Sequence, residues 1–200
     1  MKLQITASLC GILSMAQAMR VLTQSPSAAG SELVATKFTL RDGRSGIVYR
    51  QDIPGPVSPI PGWSGLDSSW TPTNETVSYC DSTQIYTQDN EYIGLGTEED
   101  CTTLRDYVLE TEGAFLLPPN GILPGYYTGL IAYNTCVFSA GLDAAAPYDG
   151  LWVGNKDIAD ILTLNLEQYV KGDGAIFTEG YFPCSSPSGS KTIPATWNVW

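Results

Sequence analysis

Four cysteines, Cys80, Cys101, Cys136 and Cys184, do most to limit what this 200-residue chain can fold into. A fifth, Cys10, lies in a segment that reads as a leader. MKLQITASLCGILSMAQA carries Lys2 at its start, then an apolar run, and Ala16-Gln17-Ala18 fits the small-x-small rule for cleavage after Ala18. Residues 1–18 are therefore expected to be a signal peptide, and the rest of the chain to be exported. In an oxidising compartment an even number of cysteines points to disulfides. The alternative, a zinc site, is disfavoured because no two cysteines have the usual short spacing and the sequence contains no histidine. Cys101 falls on the apolar face of a predicted helix, and Cys136 in a predicted strand that should pack beneath it. Cys101–Cys136 and Cys80–Cys184 are thus the favoured bonds, with the other two pairings left open.

The missing histidine also narrows the chemistry. It excludes Ser-His-Asp and Cys-His nucleophile systems and every histidine-ligated metal. No cofactor and no metal site is expected, and no catalytic residue is assigned. Charge sets a second limit. The chain carries 10 basic and 21 acidic residues, and from Cys80 onward there are four basic residues against sixteen acidic ones. Such a surface repels nucleic acid and anionic lipid, and no run after the leader is long and apolar enough for a membrane-spanning helix. A secreted monomer is expected, whose partner is a host protein or a cell-wall glycan.

Residues 19–77 read as a Pro/Gly/Ser-rich N-terminal arm or pro-segment. PGPVSPIPGWSG, residues 54–65, has seven Pro or Gly in twelve positions, the composition of a linker. Ahead of it, KFTLRDGRSGIVYR looks like two short strands around a Gly-rich turn from Asp42 to Gly46. These could form a hairpin docked on the main domain or a loosely ordered pro-segment, and the second is preferred. Asn74-Glu75-Thr76 is an N-glycosylation sequon, with Asn74 as its acceptor.

Residues 78–200 read as one domain of roughly 120 residues, a normal size for a single core. TVSYCDST, LIAYNTCVFS, GAIFTEGYF and ATWNVW are strand-like, the second with an irregularity at Asn134-Thr135. In VGNKDIADILTLNLEQYVKG, Asn155 is expected to cap a helix, with Ile158, Ile161, Leu162 and Tyr169 on its apolar face and Gly172 at its stop. Asn165 near that face is expected to satisfy a backbone group. GTEEDCTTLRDYV, from Gly96, reads as another helix start. Thr97 is the cap, Glu98, Glu99 and Asp100 lie where the helix dipole favours negative charge, Asp100 approximates a capping box, and Gly113 can end the helix. The fold expected is α+β, a small antiparallel sheet with two helices packed on it and two disulfides.

Competing readings of these acids are weak. The glycines Gly94 and Gly96 lack the third glycine of a dinucleotide loop, and Asp89, Asn90 and Glu91 do not follow the calcium-loop spacing. A glycosidase would need two carboxylates at a fixed separation, and nothing in the sequence selects a pair. Ser188-Gly189-Ser190-Lys191 formally contains S-x-x-K but has none of that enzyme class's companion motifs. Of the five tryptophans, Trp197 is assigned to packing, while Trp63 and Trp70 in the arm are the candidates for exposed sugar contact.

In order along the domain stand Cys80; Asp100-Cys101; Thr135-Cys136-Val137-Phe138; Val153-Gly154-Asn155-Lys156-Asp157-Ile158; Gly180 to Cys184; and Trp197. This ordered set resembles the fungal secreted effectors homologous to extracellular protein 2, the necrosis-inducing-factor family, over residues 78–200. Asn134 stands where the family pattern has a glycine, and residues 139–152 form a longer Ala/Gly-rich insertion. The resemblance implies a secreted fungal virulence effector that provokes plant necrosis, with a suggested kinship to small killer toxins and no catalytic residues. The alternative is a cell-wall glycan-active protein, either a carboxylate glycosidase or a lectin-like binder.

Overall fold

The computed structural model describes residues 32–52, 70–86, 96–117, 127–143, 150–170 and 174–200. The leader, Trp63, the linker over residues 54–65 and Gly172 lie outside the described residues. A seven-stranded antiparallel sheet dominates, rather than the small sheet expected. Its strands are β1 (Glu32–Thr39), β2 (Ser45–Asp52), β4 (Gln84–Tyr86), β7 (Tyr127–Tyr133), β8 (Cys136–Leu142), β11 (Thr178–Ser185) and β12 (Thr192–Val199). They run in the spatial order β1-β2-β7-β8-β12-β11-β4. Three shorter strands, β3 (Trp70–Pro72), β6 (Gly113–Leu117) and β9 (Leu151–Gly154), make a second sheet, and β5 (Gly96–Thr97) pairs with β10 (Ala175–Ile176). The two expected helices are present, α1 (Glu98–Glu110) and α2 (Asn155–Gln168).

The enlargement has identifiable sources. LIAYNTCVFS was expected to be one irregular strand. It is two, β7 and β8, folded into a hairpin at Asn134-Thr135. Asn134 has φ 46°, a left-handed conformation that glycine adopts freely and asparagine tolerates better than most residues. Asn134-Thr135 is therefore a tight turn. A second source lies in the expected arm. Residues 32–52 do not stand apart: β1 and β2 form the hairpin, and β2 pairs with β7 through Val48↔Tyr133, Tyr49↔Ala132 and Arg50↔Ile131.

Side chains lock that hairpin in place. Val48 and Leu40 are buried. The Phe38 ring lies 4.9 Å from Tyr107 of α1 and 5.6 Å from Tyr133 of β7. Arg44 in the turn donates to Asp106 and, at 3.1 Å, to Thr103 of α1. The Arg50 guanidinium stacks 5.3 Å over the ring of Trp70. Trp70 itself is only 6 % exposed, so it is a core residue and not a free sugar platform. Its ring also decides Gly113. A Cβ there would approach Trp70 to 2.3 Å, so Gly113 is a packing glycine at the start of β6 and not the stop of α1, which ends at Thr111.

The two helices and both larger sheets share one core. Leu104 and Val108 of α1, Ile158 and Leu162 of α2, Phe115 of β6 and Phe138 of β8 are completely buried within it. Every residue of β6 and β8 is buried, which accounts for their unbroken apolar sequences, GAFLL and CVFSAGL. β11 and β12 instead alternate buried with half-buried positions. Trp197 in β12 faces Gly180 of β11 in register, and a Cβ on Gly180 would come within 2.4 Å of the indole. Glycine here is the condition for a fully buried tryptophan, whose N–H donates to Thr83 at 2.6 Å.

Removing residues 19–70 would strip Leu40, Val48 and Trp70 from the core and leave β7 with an unpaired edge. Burial of each such side chain stabilises by about 1.5–3 kcal/mol, a sum comparable with the total stability of a domain. The truncated protein should show no cooperative thermal transition and should self-associate through the exposed edge. A transition close to that of the intact chain would show that the hairpin is dispensable.

Candidate functional site

The sequence motifs converge on two helix N-termini. At α1, Thr97 is the cap, its hydroxyl accepting from the Asp100 N–H at 3.2 Å. Glu98 and Glu99 are exposed. Asp100 departs from the capping-box expectation. Its carboxylate does not return to the Thr97 N–H, which donates to the Thr135 hydroxyl at 3.1 Å. It accepts instead from the Asn134 amide at 3.0 Å, the Thr135 N–H at 3.2 Å and the Thr135 hydroxyl at 2.5 Å. Asp100 thus clasps the β7–β8 turn, and the adjoining Cys101 is bonded to Cys136. The Asn134 side chain contributes a contact that a glycine could not make.

At α2 the cap is Gly154, not Asn155. Gly154 is required by proximity, since a Cβ would lie 2.1 Å from the carbonyl oxygen of Val77. Asn155, fully buried, accepts from the Val77 N–H at 2.9 Å and donates to the Val108 carbonyl at 3.0 Å. Asp157 is buried. It accepts from the Ser78 hydroxyl at 2.6 Å, and from the N–H groups of Tyr79 at 2.9 Å, Cys80 at 3.3 Å and Gly154 at 2.7 Å. Three motif residues therefore hold the segment before Cys80 in an extended path. That path forms a single antiparallel bridge to β11, where Cys80 is bonded to Cys184. Further along α2, Asn165 donates to the Ile161 carbonyl at 2.8 Å and accepts from Thr178.

A cleft of about 460 Å³ opens between this segment and the outer side of α2, with Ser78, Asp81, Thr83, Asp160, Leu164 and Glu167 among its lining. Its lining is acidic and hydroxyl-rich with an apolar part from Ile161, Leu164 and Phe182, which suits a cationic or hydroxylated group. Asp160 is paired with Lys156 across one helical turn. Burial pushes the Asp157 carboxyl above its ordinary value, against the opposing pull of its donors Ser78, Tyr79, Gly154 and Cys80. On the other side of the protein, burial and then the charge of Glu179 push the Tyr127 hydroxyl up to about 12. Among the described residues no group of three or more Cys, Asp or Glu is arranged to hold a metal ion.

The sequence motifs are thus placed as follows. Cys80, Cys101, Cys136 and Cys184 form the two bonds, Asn74 sits exposed between β3 and the Cys80 segment, and Ser188 to Lys191 form an exposed turn between β11 and β12. The hydroxyls of that turn bond one another and the Lys191 N–H. The partners of Asp100 and Asp157 were not foreseen, although both acids lie beside cysteines or within the motifs already singled out. The family model Hce2, "Pathogen effector; putative necrosis-inducing factor", matches residues 79–184, just over half of the chain. No curated protein matches it.

The acids at the α1 start should separate by role. Glu98→Gln and Glu99→Gln each lose a dipole interaction of roughly 0.3–1 kcal/mol. Asp100→Asn disturbs bonds to a charged acceptor, worth about 1.5–3 kcal/mol. Chemical denaturation should rank Asp100→Asn as clearly the most destabilised, and equal midpoints for all three would contradict the clasp.

For Asp157 the sign of the pH dependence follows from its raised value. The folded state holds this proton more tightly than the unfolded chain, so the residue's contribution to stability falls as pH rises from the ordinary aspartate range through the raised one. Ser78→Ala removes a donor that favours the charged form. A carboxyl NMR titration should place the Asp157 midpoint above 3.8 in the native protein and higher still in Ser78→Ala. A midpoint that is unmoved or lowered would refute this balance of burial and hydrogen bonding.

Proposed function

The chain belongs to the Hce2 pathogen-effector family, and from that membership we propose a secreted fungal virulence effector that provokes necrosis by binding a host or competitor target rather than by catalysis. The family match over residues 79–184 carries this reading. Two disulfides favour an extracellular site of action. The non-catalytic part is supported by how the carboxylates are used. Asp100 clasps a turn, Asp157 orders the Cys80 segment, Asp106 pairs with Arg44 and Arg105, and Glu110 accepts the Arg41 N–H at 3.0 Å. Each has a structural partner that a reacting group would have to give up. The acidic cleft beside α2 is the surface best suited to a target that presents amino, guanidinium or hydroxyl groups.

The test is infiltration of purified protein, residues 19–200, into leaf tissue and its addition to competing fungi, beside a reduced and alkylated sample. Necrosis or growth arrest from the oxidised protein alone is expected. An oxidised, folded protein inert towards both would overturn the effector reading. Release of soluble sugars from cell-wall glycans by that protein would overturn the non-catalytic part.

A further inference from the structure

The sequon Asn74-Glu75-Thr76 is not used by anything described above, and the fold presents it in an unusual setting. It sits in the bend just after β3, the edge strand of the three-stranded sheet. Asn74, Glu75 and Thr76 are all exposed. Both ends of the bend are fastened. Before it, the Thr73 N–H donates to the Glu112 carbonyl at 3.2 Å and the Thr73 hydroxyl donates to the Glu75 carbonyl at 2.5 Å. After it, Val77 is held on both sides, its N–H by Asn155 and its carbonyl by the Lys156 N–H at 3.1 Å. Among the described residues the Asn74 side chain engages no partner. It is the sole Asn-x-Ser/Thr in the sequence.

We propose that Asn74 is an occupied N-glycosylation site, carrying its oligosaccharide on a fastened bend that follows the terminal strand of the small sheet. The proposal rests on the secretory reading above, because the glycan donor is met only along that route. The donor is a lipid-pyrophosphate-linked oligosaccharide. The Asn74 amide nitrogen forms a bond to the anomeric carbon, the bond from that carbon to the phosphate oxygen breaks, the lipid pyrophosphate leaves, and the amide gives up one proton to the transferring enzyme. No oxidation or reduction is involved. Folding does not oppose the product, since Asn74 needs no burial and displaces no hydrogen bond.

The experiment uses the full chain in a eukaryotic secretory host, once behind its own residues 1–18 and once, from residue 19, behind a heterologous signal sequence. Failure of the first alone to reach the medium bears on the leader and the secretory reading. The second arm tests the site. Intact mass should show the increment of a single N-glycan, removed by an endoglycosidase, lost in Asn74→Gln and Thr76→Ala, and retained at least in part in Thr76→Ser. Asn74→Gln should keep the same thermal transition, since that side chain supports no contact. Secreted protein at its unmodified mass would overturn the proposal, as would an increment that persists in Asn74→Gln.

Discussion

The carboxylate of Asp157 is the constraint on which the arrangement of this domain depends. It is buried at the start of α2 and gathers four donors, the Ser78 hydroxyl and the backbone N–H groups of Tyr79, Cys80 and Gly154. A charged acceptor in that position is stable only while each donor points at it. The result is that residues 77–80 have one path available, and that path delivers Cys80 to Cys184. Gly154 and Asn155 serve the same end, the first by leaving room for the Val77 carbonyl and the second by holding the Val77 N–H and the Val108 carbonyl together. The Val-Gly-Asn-x-Asp-Ile run, which in sequence looks like a helix start, is in space a junction of α1, α2 and the Cys80 segment.

Asp100 repeats this logic at the other disulfide. Each bond therefore has an acid beside it that positions one of the two chain segments to be joined. Chain-entropy arithmetic assigns about 4 and about 5 kcal/mol to loops closed by residues 35 and 104 apart. The smaller loop lies inside the larger, so the two figures do not simply add. Two of the chain's acids, Asp100 and Asp157, are thus tied to the covalent framework.

Legibility from sequence followed the range of the interactions. Thr97 as a cap, the apolar faces of α1 and α2, and Asn165 as a satisfied buried amide were readable because each depends on neighbours within about one or two helical turns. The predicted faces of Cys101 and Cys136 were enough to favour their pairing. What escaped depended on distant partners. GAFLL lacks alternation because both its faces are covered, so periodicity could not mark it, whereas CVFS was read as strand and only its continuation to Leu142 was missed. Asn134-Thr135 was read as an irregularity within one strand and not as the turn between two, although asparagine before a small polar residue is a fair turn signal. The hairpin of β1 and β2 was visible, but its docking rests on Tyr107, Tyr133 and the edge of β7. Trp70 was misplaced because a polar neighbourhood in sequence says nothing about Arg50 and Gly113, which enclose it.

The position of β12 has a consequence for how the chain assembles. Last among the strands in chain order, it lies between β8 and β11 and is hydrogen-bonded to both. As synthesis proceeds, the Cys101–Cys136 loop can close while the Cys184 segment is still being made, and the Cys80–Cys184 loop can close before β12 has emerged. Until β12 arrives, β8 and β11 each show an unsatisfied edge and Gly180 has no indole to cover it. Completion is therefore a late, non-local event of the kind that slows folding, and the oxidised but unclosed sheet is the species left exposed until it occurs.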